Sequence, residues 1–142
     1  MTRALSFIAF CLMPFLFAGC SAERMAVLQD RAENQRLGDS ADLYWKALRW
    51  GDYTAAGSFI EDSEKRFEWL QLVEGPQARQ YRSTEIVSVE AGPLLESPVK
   101  GVQRKGLVIS KVVYYILPQQ VLKTEMVRQS WVRKPKGWFI ED

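Results

Sequence analysis

Leu107-Val108-Ile109-Ser110-Lys111-Val112-Val113-Tyr114-Tyr115-Ile116-Leu117 decides the fold. Val, Ile and Tyr crowd this run, and no Gly or Pro breaks it, which is the composition of a pleated, half-buried strand. Pro118-Gln119-Gln120 reads as a turn, and Val121 to Arg133 as a second long strand. Lys134-Pro135-Lys136-Gly137 turns the chain again into Trp138-Phe139-Ile140. Working upstream, Leu95 to Lys105 holds Pro98 and Gly101 and reads as a loop. Residues 79–91 alternate Ile86, Ser88 and Glu90 against Val87 and Val89, a period of two that predicts another strand.

Before residue 76 the period changes. Ser63 onward carries Phe67, Leu70 and Val73 along one helical side and stops at Gly75-Pro76. Asp52 can cap a short helix from Tyr53 to Phe59, and Asp39 or Ser40 can cap one containing Leu43, Tyr44, Ala47 and Leu48, closed by Gly51. Ser21 to Leu37 is rich in helix formers but has a narrow apolar stripe; it reads as a tether or a partly docked helix ended by Gly38. Helices first and an antiparallel meander afterwards is an α+β order, with N-terminal helices packed on one face of a sheet. The other face is free for solvent or a second subunit.

The first twenty residues resemble a bacterial lipoprotein signal peptide. Arg3 precedes an apolar run from Ala4 to Phe17, and Phe17-Ala18-Gly19-Cys20 ends it with small residues and a cysteine. The run is shorter than the roughly 20 residues a spanning helix needs. The resemblance implies that residues 1–19 are removed, that Cys20 carries lipid, and that residues 20–38 form the tether of a domain at 39–142. With Ser21 after the cysteine, it also implies the outer membrane, facing the periplasm, in a Gram-negative cell. Cys11 would leave with the signal and Cys20 would be acylated, so no disulfide remains to staple the domain.

Inventory excludes much chemistry. The chain has no histidine, which removes zinc sites of the usual kind, Ser-His-Asp triads and Cys-His dyads. There is no Gly-rich phosphate loop, no calcium-loop spacing and no nucleic-acid motif, so no cofactor, metal or nucleic acid is expected. Charge is uneven: nine basic residues between Lys100 and Lys136 face only Glu125. These cations read first as solvated strand edges. Arg133, Lys134 and Lys136 at one turn, with Arg104 and Lys105 at another loop, would make an anion contact for membrane or glycan groups if the two loops meet.

Tyr44-Trp45-Lys46-Ala47-Leu48, then Gly51-Asp52-Tyr53, Ala56 and Phe59, is similar to the opening of nuclear transport factor 2-like domains, and Gln129 to Arg133 with Gly137 to Ile140 is similar to their last two strands. That resemblance implies a curved sheet wrapped round the helices as a cone, with Tyr44, Phe59, Tyr114 and Trp131 among the walls of a ligand cavity. Enzymes of the superfamily that lack histidine pair an Asp base with a Tyr donor, for which Asp42, Asp52 and several tyrosines are available; helix capping and the helix dipole explain both carboxylates equally well. The leading expectation is a non-enzymatic envelope lipoprotein that binds a protein partner or pairs with a second copy; the alternatives are a small apolar or lipid ligand held in the cone, and a weak Asp/Tyr-based isomerase- or hydrolase-like enzyme. Exposure of Trp45 or Trp50 would mark a partner surface.

Overall fold

The computed structural model describes residues 19–141, with side chains described from Ala22 onward. The signal segment expected at residues 1–19 therefore lies almost wholly outside the described residues. Three helices, α1 (Gly19–Trp50), α2 (Tyr53–Gly57) and α3 (Ser63–Val73), precede four strands, β1 (Arg79–Ala91), β2 (Arg104–Ile116), β3 (Lys123–Lys134) and β4 (Gly137–Glu141). The strands form one antiparallel sheet in sequence order, β1-β2-β3-β4, which does not close into a barrel. Expected strand positions hold to within a few residues.

α1 is one helix where a tether and a separate helix were expected. Gly38 does not end it, and Asp39, Ser40 and Asp42 lie in its interior, so none of them caps a helix start. A glycine inside a helix costs about 1 kcal/mol relative to alanine. Leu37 and Ala41 on either side of it are completely buried, and burying a leucine contributes about 1.5–3 kcal/mol, so packing outweighs propensity. Gly38 also lies against the sheet, where an added Cβ would sit 3.5 Å from Val89. Ser40 turns its hydroxyl back to the Arg36 carbonyl at 2.9 Å instead of capping anything.

The true stop is Gly51, at φ 73°. The Gly51 amide donates to Leu48 and the Asp52 amide to Ala47, which satisfies the last carbonyls in a Schellman closure. Asp52 then accepts from the Ala55 amide and caps α2, as its position predicted. Asp62 caps α3 through the amides of Glu64 and Lys65, and the Lys65 amide foremost holds its carboxyl below the ordinary value. Leu43 and Phe67, expected to face the core, are exposed; Trp45 and Trp69 turn inward instead.

Leu37, Ala41, Tyr44, Trp45 and Leu48 of α1 pack on Val108, Val112, Tyr114, Trp131 and Trp138 of the sheet. Trp131 and Trp138 lie on neighbouring strands joined by a two-residue turn, as expected, with Lys134 paired to Gly137. Gly106 is where helix and sheet come closest. A Cβ there would lie 2.5 Å from Leu37 Cδ2 and 3.0 Å from Trp138 Cζ3, and Leu37 has no free space to retreat into. Gly106→Ala is therefore expected to destabilise the fold by about 1–3 kcal/mol through overpacking, read as a lower midpoint in thermal or urea unfolding.

Both sheet edges are broken up. On β1 the register slips between Tyr81 and Ser83 and again between Ile86 and Ser88, leaving Arg82 and Val87 as extra residues. The Ala91 amide at its end is taken by Asn34 Oδ1 at 2.6 Å. On β4 the Ile140 amide donates to the Phe59 carbonyl at 2.9 Å, so the segment between α2 and α3 covers that edge.

Candidate functional site

Tyr44, Phe59 and Trp131, expected to line a ligand cavity, touch one another. Their ring centroids lie 6.2 Å apart for Tyr44–Phe59, 6.2 Å for Tyr44–Trp131 and 5.8 Å for Phe59–Trp131, all close to edge-on. These are packing distances, with no room for a ligand between the rings. Trp69 joins from α3 at 6.3 Å from Tyr44. The indole nitrogens of Trp45 and Trp131 are buried without a hydrogen-bond partner among the described residues, so shape rather than polarity holds this cluster. Tyr114 stands apart from it, 6.1 Å from Tyr81.

Around Tyr114 a small polar group forms. Arg79 lies over its ring at 4.4 Å, and Glu125 accepts from both the Tyr114 hydroxyl at 3.1 Å and Arg79 at 2.7 Å. Burial, outweighing the nearby Arg79, pushes the Tyr81 hydroxyl above its ordinary value, so it stays protonated. A carboxylate beside a tyrosine is the pair proton transfer needs, yet it is Glu125 and not Asp42 or Asp52 that stands there. The guanidinium of Arg79 occupies the same Glu125 oxygen, Oε2, that Tyr114 reaches. Asp52 is committed to its cap and Asp42 is exposed on α1.

The two basic loops do meet, since Arg104 pairs with Arg133 in the sheet register. Strand alternation then divides their cations between two faces. Arg104 and Arg133 turn toward α1. Arg104, 7 % exposed, donates to Asp30 at 2.6 Å, and Arg133 donates to Glu33 at 3.2 Å. Glu33 also accepts from Trp138 Nε1 at 3.2 Å and Arg36 at 2.7 Å, so a buried carboxylate ties helix to sheet. Lys105 and Lys134 point the other way, where Lys105 meets Glu141 at 2.9 Å and Lys134 pairs with Glu61. Lys136 is exposed at the turn. The residues expected to form one anion contact are thus brought together, but four of the five are held by carboxylates.

Lys105 and Lys134 border a groove of about 810 Å³ at this end of the sheet. Ile60, Val132, Phe139 and Ile140 give it an apolar floor; Leu95, Val99 and Val102 of the β1–β2 loop form one wall. That loop is held up by a two-residue turn in which Lys100 and Gly101 both have positive φ, 52° and 75°, while Val99 bridges to Val102. Glu61, Asp62 and Lys65 close the opposite side. The groove sets the charges of Glu61, Asp62, Lys65, Lys105, Lys134 and Glu141 beside an apolar floor, so it offers ion pairing together with apolar contact. Period-two reading of β3 and β4 could have flagged Val132 and Phe139; Ile60 and Glu61 reach the groove only through tertiary structure.

Among the described residues no helix is long and apolar enough to cross a membrane, and no cluster of His, Cys, Asp or Glu could hold a metal. Of the two tryptophans watched as surface markers, Trp45 is buried and Trp50 is 75 % exposed. Comparison with protein-family models, curated proteins and solved structures finds no match to this chain.

Proposed function

We infer that this protein is a lipid-anchored envelope protein whose domain is a non-enzymatic binding or scaffolding unit. The observation that carries the reading is the continuity of α1. The helix contains Cys20 and runs unbroken into the core, where Asp30, Glu33 and Asn34 fasten it to the sheet. An acyl group on Cys20 would therefore hold the domain on a stiff arm rather than a slack linker. Core aromatics fill the space where a cone cavity was expected, which leaves the amphipathic groove beside β4 as the better place for a partner. We read the domain itself as a reduced nuclear transport factor 2-like fold. Its Gly-Asp-Tyr break between α1 and α2, third helix and closing meander support this.

Cys20→Ser tests the anchor. Expected is loss of labelled fatty acid from the protein and release of the domain from the membrane fraction, whereas the unsubstituted chain fractionates with the outer membrane. Labelling that survives the substitution sinks the proposal.

A further inference from the structure

α1 has two long faces. Leu37, Ala41, Tyr44 and Leu48 fill the core from one of them. On the opposite face Met25, Leu28, Leu43 and Trp50 are 66, 58, 57 and 75 % exposed. They share an azimuth: Met25 and Leu43 are about five full turns apart, and Trp50 stands two turns beyond Leu43. Ala32 falls on the same line. The stripe runs over about 40 Å of helix, broken in the middle by Arg36 and Asp39 and again by Lys46, which stands about five turns from Leu28.

Cations flank it. Arg24, Arg31, Lys46 and Arg49 are exposed and make no ion pair among the described residues, while Asp39 and Asp42 supply the only acids on this side. On the strands Arg79, Arg104, Lys105, Arg133 and Lys134 are each held by a carboxylate, while Arg82, Lys111, Lys123 and Arg128 are exposed with no ion pair among the described residues. α1 thus carries four of the cations free to meet an anionic surface, and these four lie along its apolar stripe. An apolar stripe edged by Arg and Lys, with a tryptophan at its far end, is the pattern of a helix lying in a membrane interface.

We propose that the outer face of α1 docks flat on the anionic bilayer surface to which the chain is anchored, with the sheet on the side away from the lipid. The occupant follows from where the helix begins. Cys20 is its second residue, so an anchor there brings one end of the stripe to the head groups and leaves tilt as the remaining freedom. Lying down buries Met25, Leu28, Leu43 and Trp50 and sets four cations among the phosphates; standing upright leaves all of these in water. Docked in this way, the helix turns the groove beside β4 and the uncovered sheet face toward the periplasm. The proposal rests on the membrane-anchored reading for its geometry, but it can be tested without acylation.

The test uses residues 21–142, which keep every described contact of the core, because α1 first bonds to the sheet at Asp30. Sedimentation with phosphatidylcholine vesicles containing phosphatidylglycerol is expected to pull the domain down, less so as salt rises through the physiological range or when the anionic lipid is left out. Trp50 is the most exposed of the five tryptophans, so vesicles should shield it from an aqueous quencher, and Trp50→Phe should remove most of the quenchable signal. Leu28→Glu with Trp50→Glu should weaken binding at least tenfold without changing the melting curve, since neither side chain is in the core. Lys134→Glu with Lys136→Glu should leave binding unchanged. Failure to bind vesicles overturns the proposal and gives this face to a protein partner. Binding lost with the lysine pair but not with Leu28 and Trp50 overturns it in favour of the basic turn. Neither result bears on fatty-acid labelling at Cys20, so the anchor and the docking face fail separately.

Discussion

Trp138→Ala should lower the stability of the domain by about 3–5 kcal/mol, the range for removing a large aromatic from a packed core. Trp138 is 4 % exposed, and it meets both Glu33 through its indole nitrogen and the narrow space above Gly106. Its loss leaves a cavity between α1 and β4 and takes one donor from a buried carboxylate. Thermal unfolding should move down by on the order of 10 °C or more. An unchanged midpoint would mean that the indole lies on the surface and that the helix–sheet contact is not as described.

Glu33→Ala is the second large effect. The carboxylate accepts from Arg133, Trp138 and Arg36, and its side chain is only 11 % exposed. Removing it leaves the Arg133 guanidinium, itself 19 % exposed, without a counter-charge beneath the helix, held only by the Lys134 carbonyl. Breaking a fully buried pair costs about 3–5 kcal/mol; because both partners keep some solvent, about 2–4 kcal/mol is expected. Glu33→Gln should cost less, since an amide oxygen can still accept from Trp138. A double-mutant cycle with Arg133→Met separates the pair from the packing, and a coupling near zero would show that Glu33 acts only by filling space.

The strands could be read from the chain because each signal is local. Leu107 to Leu117 lacks a breaker, and Lys134 to Gly137 is a turn whatever surrounds it. Helix breaks were harder. Gly38 carries the composition of a helix stop, yet it is overruled by Leu37 and Ala41, whose burial depends on a sheet that begins some forty residues later. Leu43 and Trp45 exchanged roles for a similar reason: the direction from which β1 approaches decides which side of α1 is inside, as the 5.5 Å contact between Trp45 and Tyr81 records.

The candidate site was half visible. Arg104 and Arg133 could meet only if their two loops did, and it is the β2–β3 register that brings them opposite one another. That Asp30 and Glu33 would neutralise them could not be read locally, because those carboxylates sit on a stretch of α1 with a weak apolar pattern. The aromatics proposed as cavity walls were correctly placed on the inner face, but whether inward rings enclose space or fill it is a matter of a few ångströms that spacing does not encode.

If the chain is tied to a surface as proposed, the two register slips of β1 acquire a further meaning. Copies confined to a membrane plane meet far more often than the same number dispersed in solution, and a long straight strand edge would then act as a template for endless sheet growth. Arg82 and Val87 interrupt the spacing of the edge amides, and Asn34 occupies the last of them. On a proposed membrane-anchored chain, such an edge would allow two-dimensional crowding without sheet-to-sheet growth.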